Sequence, residues 1–291
     1  MQSYRAGVLA IAVAGVMWSL MGLAFRNIEA ASVWQILFYR SLGTTPVLFA
    51  FIAWRSGGHP LQRVGRAGWA GVIGGLGLVL AFTGAMIAFK ATTIANAVFL
   101  FAASPFLAAI LAWVLLREPV RLVTRLAIGL ALVGIVIMVR EGLAAGAMAG
   151  NAAALLSALG FAGFTVSLRW GKLEDMMPAV MLGAVFSMLV AWPMAALEGD
   201  ALRVSLQDGA IAVAMGALLV GLGMVLYTLG SRVVPAAEAT LISLIEVMLA
   251  PIWVRLVLGE TASSGTFVGG GIVLAAIMVN ALSGVRRTAP A

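Results

Sequence analysis

Ten long apolar stretches follow one another along the chain, and each is close to the roughly 20 residues that a helix needs to cross a lipid bilayer. The continuous apolar runs lack the alternation of apolar and polar residues that a membrane β-strand requires. The sequence therefore predicts an all-α integral membrane protein with ten transmembrane helices. The predicted spans are residues 6–23, 32–54, 68–89, 93–116, 122–139, 148–168, 178–197, 210–230, 236–258 and 267–282.

Composition supports this prediction, because 63% of the residues are hydrophobic and only 10% are charged, whereas about 25% of the residues of an ordinary soluble domain are charged. The longest predicted loop, around residues 55–66, is too short to form a soluble domain, so the function should lie within the bilayer. The first stretch, with Arg5 before it, resembles a signal peptide, but it also works as a first span, and we treat it as one. The chain has no cysteine, so it can form neither disulfides nor thiolate metal sites.

The positive residues divide unequally between the two faces of the predicted bundle. Cytoplasmic loops carry an excess of Lys and Arg, so both termini are predicted to be cytoplasmic. The net charge of +7 follows from this bias and suits anionic lipid headgroups, and no nucleic-acid partner is expected. A helical bundle with short tails favours a bacterial inner membrane. The face with the termini has Arg5, Arg55, Arg63, Arg66, Arg117, Arg121, Arg125, Arg169, Lys172, Arg232, Arg286 and Arg287, and the other face has Arg26, Lys90, Arg140, Arg203 and Arg255.

An internal repeat relates the two halves of the chain. A shift of 142 residues superposes the segment from Ala88 on that from Gly230, and it matches Lys90 with Arg232 and Glu118 with Glu260. We predict two five-helix repeats, residues 1–144 and 145–291. Five is an odd number, so the second repeat is inverted, as in carriers that work by alternating access around a central cavity. One chain would suffice as a monomer. Prolines within the fourth and ninth spans, Pro105 and Pro251, are expected to kink their helices.

Four segments carry a resemblance to a known family: "FYRSL" in span two, "FKATTIANAV" between spans three and four, "SPFLAAILAWVLLREP" in span four and "LIEVMLAPIWVRLVLGE" in span nine. In this order and spacing they resemble the drug/metabolite transporter superfamily, EamA type. The resemblance implies a secondary carrier of small metabolites, with a central cavity lined largely by spans three, four, eight and nine. The general pattern is similar to the aromatic amino-acid exporter branch.

Glu246 is the strongest candidate for a binding residue, because it lies about 15 Å from either end of its span. Ionisable residues at such depth usually serve a function. Helical spacing places Ser243 and Trp253 on or beside its face, and Pro251 should free the carbonyl of Val247, so this face is expected to line the cavity. The alternative is that Glu246 is a protonated or paired structural residue.

Arg40 is the second deep charge, about 12 Å below the end of its span. It could reach upward as an interfacial or inter-helix anchor, or it could face the cavity. In the cavity, its guanidinium suits a substrate carboxylate, while Glu246 could accept from an ammonium group. The pair would then bind a zwitterion, although the two residues could equally neutralise one another.

Further candidates are less specific. Asn96 with Lys90, and Glu238 with Arg232 at the equivalent junction, could line a path or act as helix caps and interfacial charges. Aromatic residues within spans could stack a substrate or simply pack. These are Trp18, Tyr39, Phe82, Tyr227 and Trp253.

Other chemistry is disfavoured by the residues themselves. His59 is the only histidine and lies in a loop, no aspartate falls inside a predicted span, and no phosphate-binding loop motif or metal cluster occurs. We therefore predict no enzyme activity, no cofactor, no bound metal and no use of ATP. Channels favour repeated polar rings, and a structural protein has no need of Glu246. With one deep cation, the residues favour a secondary carrier of a less charged solute such as an amino acid, with protons as a candidate coupling ion. The resemblance implies export and a cargo that includes aromatic amino acids. Another small organic solute or a drug is the alternative cargo.

Overall fold

The computed structural model describes residues 3–144, 146–199 and 201–285. Within these ranges, ten helices are long and apolar enough to cross a membrane, which confirms the predicted number. A short additional helix, Pro60–Gly65, lies in the longest loop. The ten helices are α1 Tyr4–Arg26, α2 Val33–Arg55, α3 Gly68–Ala91, α4 Ile94–Leu116, α5 Leu122–Ala144, α6 Met148–Trp170, α7 Met177–Leu197, α8 Leu206–Gly230, α9 Ala236–Leu258 and α10 Ser264–Val285.

Three of these helices are interrupted. The α-helical hydrogen bonding of α1 breaks at Leu20, and that of α4 breaks at Ala102–Ala103, between Ile94–Phe101 and Ser104–Leu116. The middle of α8, Met215–Leu222, is π-helical. Irregular turns of this kind within helices often mark functional sites.

The repeat is visible in the ends of α4 and α9. Arg117 and Gly259, which are 142 residues apart, both end their helices in the left-handed conformation, with φ of 56° and 67°. The next residue in each half donates its backbone N–H to an equivalent carbonyl. Glu118 donates to Ala112 at 3.3 Å, and Glu260 donates to Val254 at 3.2 Å. The two halves therefore have the same local structure at these points.

Helix packing follows a pseudo-twofold symmetry that exchanges each helix with the one five places later. The packing of α3 on α6 corresponds to that of α8 on α1, and α4 on α6 corresponds to α9 on α1. The symmetry maps the α5–α10 and α2–α7 pairs onto themselves. Because these contacts join one half to the other, the two inverted repeats enclose a central cavity together. The division between residues 144 and 145 stays a prediction, and Ala145 lies outside the described residues.

The start of α8 differs from the prediction. The helix begins at Leu206, four residues before the predicted span, because Ser205 caps it by accepting the N–H of Asp208 at 3.0 Å. Asp208 therefore lies inside a span, and the expectation that none of the aspartates does so is wrong. Its carboxylate is buried and accepts backbone N–H groups of Glu29, Ala30 and Ala31 at 3.0–3.1 Å, which fixes the α1–α2 loop against α8. Arg286 and Arg287, which were assigned to the face with the termini, lie outside the described residues, as does Asp200.

Gly216 allows α2 and α8 to cross closely. The single hydrogen of Thr44 Oγ1 is shared between the Arg40 carbonyl at 2.9 Å and the Gly216 carbonyl at 3.0 Å. A Cβ atom at Gly216 would lie 1.7 Å from the backbone oxygen of Arg40. A backbone atom cannot move aside as a flexible side chain can. The crossing therefore needs glycine at this position.

We expect Gly216→Ala to lower the melting temperature of the detergent-solubilised protein clearly, because overpacking costs about 1–3 kcal/mol or more. The matched control is Gly129→Ala, whose Cβ atom would meet open space in α5. That control should melt at or slightly above the wild-type temperature, since alanine favours helices over glycine. Equal stability of the two variants would contradict the close crossing.

Candidate functional site

A central cavity of about 330 Å³ lies between the two halves. Its volume lies near the lower end of the roughly 300–1,000 Å³ range of small-molecule sites. The lining residues nearest to helix ends lie at the face where α1 begins, which we call the N-terminal face. The cavity therefore approaches that face. The lining residues are Trp18, Phe101, Ala102, Ser104, Pro105, Phe161, Phe164, Thr165, Leu168, Met176, Met224, Tyr227, Thr240, Ser243, Leu244, Glu246, Val247 and Ile277.

Glu246 lies at the deep end of this cavity. It also lines a second, smaller cavity of about 100 Å³, whose wall includes Ala88, Phe89 and Ala97 near the opposite face. Phe101 lines both cavities as well. Among the described residues, Glu246 is partly buried and takes part in none of the ion pairs. Glu246 therefore lies between the two cavities, and its role in binding a solute stays a prediction.

The hydroxyl groups of the cavity wall mostly turn their hydrogens away from the cavity. Thr165 Oγ1 donates to the Phe161 carbonyl at 3.0 Å, Thr240 Oγ1 to the Ala236 carbonyl at 2.9 Å, and Ser243 Oγ to the Thr240 carbonyl at 2.9 Å. A hydroxyl has one hydrogen to donate and two lone pairs that accept. These side chains can therefore offer a ligand hydrogen-bond acceptors.

Aromatic rings form much of the wall. Trp18 and Tyr227 pack at a centroid distance of 5.5 Å, and Phe161 contacts both Phe101 at 5.6 Å and Phe164 at 5.5 Å. Trp18 and Tyr227 were predicted from the sequence as candidate binding residues, whereas the three cavity-lining phenylalanines were not. Phe161 and Phe164 are three residues apart and so share a face of α6. Rings that only pack in a core show the same spacing, so it does not identify rings that line a cavity.

Arg40 is not among the residues that line the central cavity. Its side chain is only 2% exposed, and its guanidinium carbon lies 4.2 Å from the ring centroid of Phe82, as in a cation–π contact. Its buried Nε has no hydrogen-bond partner within the described ranges. The structure thus brings Arg40 and Phe82 together, and a role for either in binding substrate stays a prediction.

The other predicted site residues divide between the cavity and structural contacts. Ser243 lines the cavity, whereas Tyr39 donates its hydroxyl to the Leu202 carbonyl at 2.8 Å. Trp253 Nε1 donates to Ser19 Oγ at 2.9 Å and so joins α9 to α1. Binding roles for Tyr39 and Trp253 stay predictions.

Asn96 lies towards the opposite face, away from the central cavity. Its amide nitrogen donates to Asn151 of α6, and its amide oxygen accepts from Thr266 Oγ1 of α10 at 3.4 Å. It also lines a separate polar cavity of about 520 Å³, together with Arg26 and Glu260. Its place in a binding site stays a prediction.

The two prolines differ in their surroundings. Pro105 lines the cavity and follows the break in α4. Pro251 lies inside α9, whose helix continues past it.

An ion pair holds the opposite face together. Arg26 Nε lies 2.8 Å from Glu260 Oε2, and both side chains are largely buried. Arg26 also donates to the Thr92 carbonyl at 2.9 Å, and the other carboxylate oxygen of Glu260 accepts the Ile94 N–H at 2.6 Å. We call these four residues the opposite-face clamp. The clamp fastens the ends of α1 and α9 to the α3–α4 junction.

The N-terminal face has an equivalent ion pair between Arg169 and Glu118, with side chains 51% and 37% exposed. Glu118 matches Glu260 at the 142-residue offset, and Arg169 follows Arg26 by 143 residues. Val234 and Ala236 then correspond to Thr92 and Ile94. In the part of the chain that the structure describes, neither Glu118 nor Arg169 is hydrogen-bonded to Val234 or Ala236.

The two faces therefore differ despite the repeat. On the opposite face α3 packs against α4 near the clamp, whereas their counterparts α8 and α9 make few direct contacts beside the cavity. Within the described residues, the clamp joins the helix ends at the opposite face, whereas the central cavity approaches the N-terminal face, where the equivalent hydrogen bonds are missing.

A family model described as the EamA-like transporter family matches the chain twice, over residues 5–140 and 148–282. The chain belongs to the EamA-like transporter family. The double match agrees with the two five-helix repeats, and it confirms the resemblance to the drug/metabolite transporter superfamily, EamA type. This EamA-like protein is therefore a multi-pass membrane protein of a transporter family.

Other comparisons give only the fold. A solved structure described as "Crystal structure of protein" is 18% identical, with a TM-score of 0.67, and the match covers 97% of this chain and 99% of that one. No curated protein matches the chain.

Proposed function

We propose that this EamA-like protein is a secondary carrier that exports small organic solutes bearing an ammonium group, by alternating access. Amino acids, including aromatic ones, are the solutes that the sequence predicts. The observation that carries the proposal is Glu246, the one acidic side chain among the described residues that line the cavity between the inverted repeats. An ammonium group on the cargo would pair with its carboxylate.

The inverted repeat supports alternating access, because two halves with one local structure can exchange conformations. The exchanged state would engage the second ion pair. Glu118 would accept the N–H of Ala236, Arg169 would donate to the Val234 carbonyl, and the opposite-face clamp would be released. The same Glu246 would then meet the other side through the cavity that now measures about 100 Å³.

We infer the orientation of the protein in the membrane from its Lys and Arg residues, and the coupling ion from Glu246. The excess of Lys and Arg at the N-terminal face supports a cytoplasmic location for that face, and a bacterial inner membrane is the location that we propose. The central cavity would then approach the cytoplasm, from which an exporter loads its cargo. Glu246 can hold either a proton or a cationic group, so proton exchange is the coupling that we propose. One chain contains both halves of the cavity and can work as a monomer without ATP.

A passive channel is the second candidate, and the apolar wall of the smaller cavity argues against it. A channel needs a continuous polar path. Here Phe101 and Glu246 lie between the two cavities, and the wall of the smaller one is mostly apolar. A carrier for another solute or a drug remains the alternative within the same mechanism.

The test is exchange in vesicles that contain the purified protein. Vesicles preloaded with unlabelled amino acids should take up labelled amino acid faster than empty ones, and a pH gradient should drive accumulation. Both effects should saturate with substrate. Uptake that neither saturates nor depends on preloading would contradict a carrier and support a channel.

A further inference from the structure

Among the described residues, the wall of the central cavity offers a ligand one negative charge and no positive charge. Glu246 is the only charged side chain among its lining residues, and within the described ranges none of these is Lys, Arg or His. The hydroxyls of Thr165, Thr240 and Ser243 already donate to helix carbonyls. A carboxylate only accepts hydrogen bonds, whereas an ammonium group has three to donate.

Arg40 would be needed to offset this imbalance for a zwitterion. Its side chain is buried over the ring of Phe82, however, and does not line the cavity. A carboxylate bound beside Glu246 would therefore lose water and meet a like charge without a cation to pair with. We therefore expect a ligand that carries a carboxylate to bind here less tightly than the same ligand without one.

The rest of the wall suits a flat apolar body. Trp18, Phe101, Phe161, Phe164 and Tyr227 supply ring faces, and Met176 and Met224 supply adaptable apolar surface. Aromatic faces attract both other rings and cations. A volume of about 330 Å³ suits a ligand of one or two fused rings.

We infer that this site binds aromatic amines, in which a ring carries an ammonium group and no carboxylate, in preference to the amino acids with the same ring. The ammonium group pairs with Glu246, and the ring lies against the aromatic wall. This inference rests on the proposed carrier function and narrows its substrate class.

The test is equilibrium binding to the purified full chain in detergent, which avoids passive leakage of amines through a bilayer. The probes are labelled phenethylamine against L-phenylalanine and labelled tryptamine against L-tryptophan. Each pair differs by one carboxylate. We expect the amines to bind at least about tenfold more tightly, because the carboxylate of the amino acid would lie close to the like charge of Glu246.

Two variants of unchanged side-chain size test whether Glu246 causes the preference for amines over amino acids. Glu246→Gln should lower amine affinity about ten- to hundredfold and bring the ratio within each pair close to one. The matched control, Glu141→Gln, removes a carboxylate that lines the polar cavity at the opposite face, and it should keep the wild-type ratio. The wild-type comparison stands even if a variant fails to fold.

Amino acids that bind as tightly as the amines, an absence of amine binding, or an unchanged ratio in Glu246→Gln would each overturn the inference. Exchange of phenylalanine in vesicles together with weak amine binding would overturn the amine preference and leave the carrier proposal standing. Tight amine binding without exchange of any solute would leave the amine preference standing and overturn the carrier proposal.

Discussion

Glu246→Gln should reduce transport of ammonium-bearing solutes about ten- to hundredfold at low substrate concentration. Hydrogen bonds to a charged group contribute about 1.5–3 kcal/mol, and each 1.4 kcal/mol corresponds to a factor of about ten in affinity. Glutamine keeps the size of the side chain but loses its charge. The measurement is the initial rate of labelled solute uptake by exchange in vesicles containing the purified variant.

The control for this prediction is Glu141→Gln, measured in the same vesicles. Glu141 is also a carboxylate within a helix, but it lines the polar cavity of the opposite face and not the central cavity. Its variant should transport at close to the wild-type rate. Wild-type transport by Glu246→Gln, or equal losses in both variants, would remove Glu246 from the binding site.

Reversing one charge of the opposite-face clamp should cause the second large effect. Arg26→Glu places two carboxylates where an ion pair of 2.8 Å now closes the face, and like charges repel. Because the clamp joins α1 and α9 to the α3–α4 junction, we expect the closed opposite face to become unfavourable. Exchange should slow severalfold, since the carrier can no longer populate this state readily.

A second reversal in the same protein tests the cause of that loss. The double variant Arg26→Glu with Glu260→Arg recreates an ion pair with its charges exchanged, and it should recover part of the lost rate. The control is Arg55→Gln, which breaks a pair between Arg55 at the end of α2 and Asp175 in the α6–α7 loop. That pair lies outside the clamp, so exchange should change little. A double variant as slow as the single one would show that the ion pair does not control closure.

The sequence predicted the spans and the repeat well because both depend on local chemistry. A helix that crosses a bilayer must be apolar over a length fixed by the membrane, and equivalent helix ends keep equivalent residues, as Glu118 and Glu260 do. Glu246 was predicted to face the cavity, and it lines the cavity because a carboxylate within lipid needs water or a partner.

Contacts between distant segments were harder to predict. The partner of Arg40 is Phe82 of another helix, and an aromatic residue within a span gives no signal of the cation above it. Asp208 was placed in a loop because its span began late, and its three backbone donors belong to the α1–α2 loop. Pattern along one helix does not specify such partners.

The difference between the two faces could not be predicted from the sequence at all. The repeat gives each face an arginine and a glutamate, Arg26 with Glu260 and Arg169 with Glu118. Which pair engages the neighbouring helix junction is a property of the conformation. Two states of nearly equal energy can share one sequence, and the contacts select between them.

Labelling of single cysteines tests most directly whether the two faces open alternately around Glu246. The chain has no native cysteine to interfere. Thr240→Cys reports on the central cavity, and Ala97→Cys reports on the smaller cavity near the opposite face. In the otherwise unchanged protein, Thr240→Cys should react quickly with a water-soluble maleimide and Ala97→Cys slowly. Adding Glu260→Gln to each variant should change the two labelling rates in opposite directions. Ala97→Cys should react faster, and Thr240→Cys should react more slowly. If both positions change in the same direction, or if neither responds, the two faces do not open alternately around Glu246.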